Sequence, residues 1–142
     1  TDERMTRFMI TLDQGIDLVE TAFATAVGGE IFVKKIPSMN ILEIMKSVDP
    51  KAKYNVVGIR PGEKIHEQMI GVEDAAFTYE YDGYFKILPS INYWHEDTKR
   101  IANGRKVPAS FEYNSGNNTE WMTVPQLQKW IKENWTYLTK DL

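Results

Sequence analysis

The sequence predicts a mixed α/β fold, and three observations carry that prediction. Helical and extended patterns alternate through the first sixty residues, in the order helix, strand, helix, strand. Two helix starts carry their own capping residues, at Thr11 with Gln14 and at Asn40 with Glu43. The apolar runs Ile31-Phe32-Val33 and Tyr54 to Ile59 are too short for helices and are bounded by Gly or Pro.

Arg4 to Ile10 reads as a short extended lead. A helix then begins near Asp13 and carries Ile16, Val19, Phe23, Ala26 and Val27 at helical spacing until Gly28-Gly29 ends it. Ile31 to Val33 forms a strand that stops at Pro37. Ser38 or Asn40 caps a second helix with Ile41, Ile44, Met45 and Val48 on one face, closed by Asp49-Pro50. Tyr54 to Ile59 reads as a buried strand. Farther on, Val72 to Tyr79 fits a short helix after the turn at Gly71, and Tyr84 to Leu88 a strand ended by Pro89. Ser90 to Thr123 is polar, irregular and aromatic, which suits a segment laid over another surface, including that of a second subunit. The last helix has an N-cap at Thr123, a first-turn Pro125 and a capping partner at Gln126. Val124, Leu127, Ile131, Trp135 and Leu138 line its face. Residues 1–89 therefore read as the α/β portion, and 90–142 as a tail plus a closing helix suited to subunit contacts.

At 142 residues and 42% hydrophobic, the chain has enough apolar content for one modest core. The formal net charge is -3 and no Lys/Arg run exceeds two residues, so neither nucleic acid nor an anionic membrane is an expected partner. The chain has no Cys, which removes disulfides and thiolate metal sites. No apolar run approaches the roughly 20 residues of a membrane span, and the cytoplasm is the default location. The first residues, Thr1-Asp2-Glu3-Arg4, are charged and lack an initiator Met, as if cut from a longer protein.

The chemistry concentrates after Ile59, in Arg60-Pro61-Gly62-Glu63-Lys64-Ile65-His66-Glu67. Pro61 keeps Arg60 extended and Gly62 lets the chain reverse. A guanidinium grips phosphate through paired hydrogen bonds, and a carboxylate three residues on accepts from sugar hydroxyls. Spacing alone fits a surface turn with an Arg60–Glu63 ion pair equally well. Arg7 is a second candidate, since two guanidiniums would match the charge of one pyrophosphate; the alternative is a solvated Arg. His66 suits either a ligand contact or a hydrogen-bonded structural role. His66 and His95 are far apart and belong to no spaced metal-ligand set. Trp94, Trp121, Trp130 and Trp135 suit stacking on a sugar or base, or packing in a core or interface. There is no GxGxxG, P-loop or GxSxG pattern, and none of the seven Tyr residues is followed four residues later by Lys. No residue of this chain is therefore expected to be catalytic, and no metal is expected.

Taken in order, Arg4 to Phe8, Gly29 to Val33, Ile36-Pro37-Ser38-Met39, Gly58 to Glu67, Tyr84 to Pro89 and Tyr113 to Asn118 resemble the carboxy-terminal part of the inverting UDP-N-acetylglucosamine 4,6-dehydratases, in the extended short-chain dehydrogenase/reductase superfamily. The resemblance implies a small mixed α/β substrate-binding domain without the Rossmann half that would carry NADP and the catalytic residues. It implies a UDP-sugar as ligand, with Arg7 and Arg60 on the pyrophosphate and Glu63 on the ribose. It also implies a homo-oligomer, with Tyr113 to Asn118 in a tail that packs at subunit contacts. Other readings are a UDP-sugar 4-epimerase, or a self-association module built on Tyr93 to Trp121.

Overall fold

The computed structural model describes residues 2–138, without the side chains of residues 92 and 135–138. The chain is mixed α/β and forms two compact units, each gathered from separate stretches.

The first unit takes Thr1–Met9, Pro37–Glu67 and Ser115–Leu142. Its short antiparallel ladder joins β1 (Thr6–Phe8) to β3 (Ser38–Asn40), with Arg7 opposite Met39. Asn40 then caps α2 (Ile41–Val48) by accepting the Leu42 N–H at 2.8 Å. The Asn40 side-chain nitrogen donates to the Glu3 carbonyl, which ties the cap to the chain start. α2 lies against α4 (Val124–Leu138). At the start of α4, Gln126 reaches back to the Thr123 N–H at 2.7 Å. Val124 and Ile131 are half-buried and Leu127 is buried, as the periodicity predicts. Trp135 and Leu138, predicted on the same face, lie outside the described side chains. Met5, Met39 and Leu127 are each buried, and the Ser38 backbone clamps the Glu120–Met122 stretch through two hydrogen bonds.

The predicted strand at Tyr54 to Ile59 does not form. The segment makes no ladder, and Tyr54, Val56, Val57 and Ile59 are all exposed. A strand needs a neighbour for its N–H and C=O groups. Among the described residues no strand pairs with this segment. In α2, Val48 is exposed and Ser47 takes the buried position. Ser38, read as a cap, is a strand residue.

The second unit takes Ile10–Ile36 and Gln68–Asn114. α1 (Leu12–Thr25) opens with the complete reciprocal cap: Gln14 N–H donates to Thr11 Oγ1 and Thr11 N–H to Gln14 Oε1. It ends before Ala26 and Val27, where the Glu30 carboxylate accepts the Val27 and Gly28 N–H groups. None of its residues is buried, and Phe23 is 87% exposed. β2 (Ile31–Lys34) pairs with β6 (Tyr84–Ile87), β6 with β5 (Thr78–Glu80), and β5 with β7 (Arg105–Lys106), all antiparallel. β4 (Gln68–Ile70) pairs separately with β8 (Tyr113–Asn114). The predicted helix over Val72 to Tyr79 shortens to a 3-10 turn, Val72–Phe77, because β5 claims Thr78 and Tyr79 for the sheet. The segment after Ser90, predicted irregular, holds a second 3-10 turn (Ile91–Glu96) and α3 (Thr98–Ile101). Arg100 fastens it, with its guanidinium over the Trp94 ring at 4.1 Å and paired to Asp97.

The core of this unit gathers Tyr79, Tyr81 and Leu88, and Tyr81 stacks flat on Tyr84. Burial, with the Tyr84 ring beside it, pushes Tyr81 up to about 12. Tyr81 donates to the Ile101 carbonyl at 2.7 Å.

Two predictions follow from packing. Met39→Ala, at a position with no exposed surface, should lower unfolding stability by about 3 kcal/mol. Val57→Ala, at a site 67% exposed, should change it by under about 0.5 kcal/mol. Chemical denaturation of both variants checks the pair, and a large cost at Val57 would restore the buried strand. The raised Tyr81 value gives a sign for alkali. An unfolded chain releases the phenol proton near pH 10, about two units before the folded one does. The contribution is fully present below about pH 10 and is lost as pH rises toward 12. Urea midpoints should fall across that window, and less steeply in Tyr81→Phe.

Candidate functional site

All four site residues predicted from the sequence, Arg7, Arg60, Glu63 and His66, lie in the first unit. Arg60 to Glu63 closes as a type II turn. Pro61 sits at its second position, Gly62 at its third with φ +82°, and the Glu63 N–H donates to the Arg60 carbonyl at 3.0 Å. Glu63 Oε2 accepts the Arg60 N–H at 2.9 Å, so the carboxylate locks the turn through backbone and does not pair with the guanidinium. The exposed Arg60 guanidinium has no partner among the described residues. A cation held on a rigid turn and left unpaired is suited to an incoming anion.

Arg7 occupies the middle of β1 and lies across the segment that follows the turn. Its Nη1 donates to the Thr6 carbonyl at 2.6 Å and to the Ile65 carbonyl at 3.3 Å, and its Nε lies 3.6 Å from Glu67 Oε1. Nη2 has no partner among the described residues. Arg7 is thus more than a solvated side chain: it is fixed in place with donor capacity in hand. No hydrogen bond or ion pair links it to Arg60 or Glu63.

His66 carries a structural contact and an open edge. Its Nδ1 is 2.8 Å from Thr6 Oγ1, while the residue is exposed and Nε2 has no partner among the described residues. The ring is set by Gly116: a Cβ there would stand 2.6 Å from His66 Cγ and Nδ1, so only glycine lets the ring lie this close. His95 sits in the other unit, edge-on to Phe77 at 5.2 Å.

The sequence reading passed over Thr6 and Ser115, both buried. Ser115 Oγ lies 2.7 Å from Thr6 Oγ1 and accepts the Glu67 N–H at 2.9 Å. The available signal was their position in the chain, next to Arg7 and Gly116. A cavity of about 150 Å³ lies elsewhere in the unit, between α2 and the Tyr54–Val56 stretch. Asp2 and Glu3 line it, so its charge is wrong for phosphate and its size is small for a nucleotide sugar. Among the described residues no helix opens on a dinucleotide glycine fingerprint: α1 opens on Thr11 and α2 on Asn40.

Residues 1–89 match the family described as polysaccharide biosynthesis protein. The chain belongs to the polysaccharide biosynthesis protein family. All four candidate side chains fall inside the matched residues; Ser115 and Gly116 fall beyond them. This family member is 42% identical over 132 residues to the inverting UDP-N-acetylglucosamine 4,6-dehydratase of Campylobacter jejuni subsp. jejuni serotype O:2, covering 89% of this chain and 40% of that enzyme. It is 32% identical over 136 residues to the UDP-glucose 4-epimerase of Rickettsia akari, covering 91% of this chain and 39% of that enzyme. Its fold is similar to the crystal structure of Pen from Bacillus thuringiensis, with a TM-score of 0.75 and 24% identity, covering 95% of this chain and 40% of that one. The chain therefore spans about two-fifths of the length of the relatives it matches. No helix among the described residues is long and apolar enough to cross a membrane.

Gly116→Ala should push the His66 ring off its seat. NMR shifts of the His66 ring should move while those of His95 stay in place; an unmoved His66 signal would contradict the close approach.

Proposed function

We propose that this chain is the UDP-sugar-gripping part of an inverting UDP-N-acetylglucosamine 4,6-dehydratase, an NADP-dependent lyase making sugars for bacterial surface polysaccharide or flagellin glycans. The observation that carries the reading is the unpaired Arg60 guanidinium on its closed turn, in a chain 42% identical to such an enzyme. Arg60 and the free Nη2 of Arg7 take the two phosphates as charge-assisted hydrogen bonds. The second Glu63 oxygen accepts from ribose hydroxyls, and His66 Nε2 meets the same ligand. Residues 1–89 do the gripping, and 90–142 supply contacts in a homo-oligomer. The family reaction oxidises C4, removes water across C5 and C6, and returns hydride at C6 with inversion at C5. NADP supplies the hydride chemistry when bound. The described residues offer it no glycine-rich cradle, so in this reading the group and the catalytic residues belong to protein outside this chain. This part orients the substrate.

A second reading, a UDP-sugar 4-epimerase, draws on the 32% identity to the Rickettsia akari enzyme. Both need the same UDP grip and differ in product: dehydration loses the mass of one water and epimerisation loses none. Mass measurement of the product made by the whole enzyme separates them. For the grip itself, Arg60→Ala should weaken UDP binding by about 2 kcal/mol, roughly thirtyfold, through the loss of one charge-assisted contact. Unchanged calorimetric affinity would sink the assignment.

A further inference from the structure

Two buried hydroxyls, on Thr6 and Ser115, are left unused by the UDP-sugar reading, and their placement gives them a task. Ser115 has no exposed surface. Its Oγ lies 2.7 Å from Thr6 Oγ1 and 3.1 Å from the Thr6 carbonyl, and it accepts the Glu67 N–H at 2.9 Å. Its own N–H donates to the Glu67 carbonyl at 2.8 Å, and the Thr6 N–H donates to the Ile65 carbonyl at 3.0 Å. One serine thus bolts β1 to the stretch Ile65-His66-Glu67. The Arg7 guanidinium spans the same two segments, with Nη1 on the Thr6 and Ile65 carbonyls and Nε toward Glu67. On the other side, the Thr6 hydroxyl holds His66 Nδ1.

The hydrogens balance in two ways. Ser115 Oγ–H can donate to Thr6 Oγ1, which leaves the Thr6 hydrogen for an unprotonated His66 Nδ1. Alternatively, Ser115 Oγ–H turns to the Thr6 carbonyl, Thr6 donates to Ser115 Oγ, and Thr6 Oγ1 accepts from a protonated Nδ1. Each arrangement leaves every hydroxyl hydrogen with an acceptor. The ring therefore keeps its position whichever nitrogen carries the proton.

We propose that Thr6 and Ser115 are positioning residues of the diphosphate grip, setting Arg7 and His66 without touching the ligand. This rests on the reading of Arg7 and His66 as ligand contacts. The test is calorimetry with UDP and with uridine, which lacks the phosphates. Thr6→Val keeps the shape and removes the hydroxyl. It should lower UDP affinity by about fivefold, the order of one neutral hydrogen bond, and leave uridine affinity unchanged. Thr6→Ser should restore UDP binding. In an Arg7→Ala/His66→Ala background, Thr6→Val should add no further loss, because its effect runs through those two side chains. Should Thr6→Val not fold by its melting curve, Ser115→Ala is read out in the same way.

Equal losses for UDP and uridine would overturn the proposal in favour of a plain structural role. A silent Thr6→Val beside an Arg7→Ala/His66→Ala variant that does weaken UDP would overturn positioning and leave the ligand reading intact. UDP affinity unmoved by Arg7→Ala/His66→Ala would overturn the ligand reading of these two residues, and the positioning proposal with it.

Discussion

A hydroxyl cut off from water has to find its partners inside the protein, and Ser115 Oγ finds them on two other segments of chain: Thr6 on β1, and Glu67 four residues past the type II turn. The separation in sequence is 109 residues between Ser115 and Thr6. That bolt ties together three stretches that are far apart in sequence. With it in place, the Thr6 and Ile65 carbonyls form a seat for the Arg7 guanidinium, and Gly116, the next residue, passes under the His66 ring. Farther along the same stretch, Asn118 donates to Ser38 Oγ and the Ser38 backbone clamps Glu120 and Met122, which delivers the chain to the start of α4.

What the sequence made legible was local. The Thr11–Gln14 cap, the Asn40 cap and the turn at Pro61-Gly62 each depend on residues two to four positions apart, so their chemistry is complete in a short window. β3, β4, β5, β7 and β8 were not legible. Each has two or three residues, and a period of two cannot declare itself over that length. Tyr54 to Ile59 failed differently: its composition is strand-like, but composition does not supply a partner strand. In the site, Arg7, Arg60, Glu63 and His66 stood out by the type of their side chains. Thr6 and Ser115 did not, because a threonine and a serine become significant only when folding brings them within 2.7 Å.

The two relatives with different printed activities share the length of this chain at 42% and 32% identity. Both names specify a UDP-sugar, and a grip on UDP is chemically indifferent to what happens at C4, C5 and C6 of the sugar. In the proposed grip, a pair of guanidiniums and a carboxylate serve the diphosphate and ribose in either case. Residues that grip therefore follow the ligand class, and the higher identity to the dehydratase is what favours one reaction over the other.

Arg7 and Arg60 represent two ways of presenting a cation. Arg7 is held by two carbonyls and a nearby carboxylate, so little rotamer entropy remains for a ligand to remove, and only Nη2 is left to offer. Arg60 has a fixed backbone and a side chain with no partner among the described residues, so it keeps its full fork of donors and in the proposed grip is ordered on binding. A preorganised point of attachment together with an adaptable one suits a diphosphate, whose two phosphates rotate about the bridging oxygen. In the proposed grip, the Arg7 position sets where the first phosphate docks, and Arg60 closes on the second. The Glu63 carboxylate stands on the same turn because it already accepts the Arg60 N–H. In that reading, locking the turn and placing an acceptor for the ribose are two consequences of one side chain.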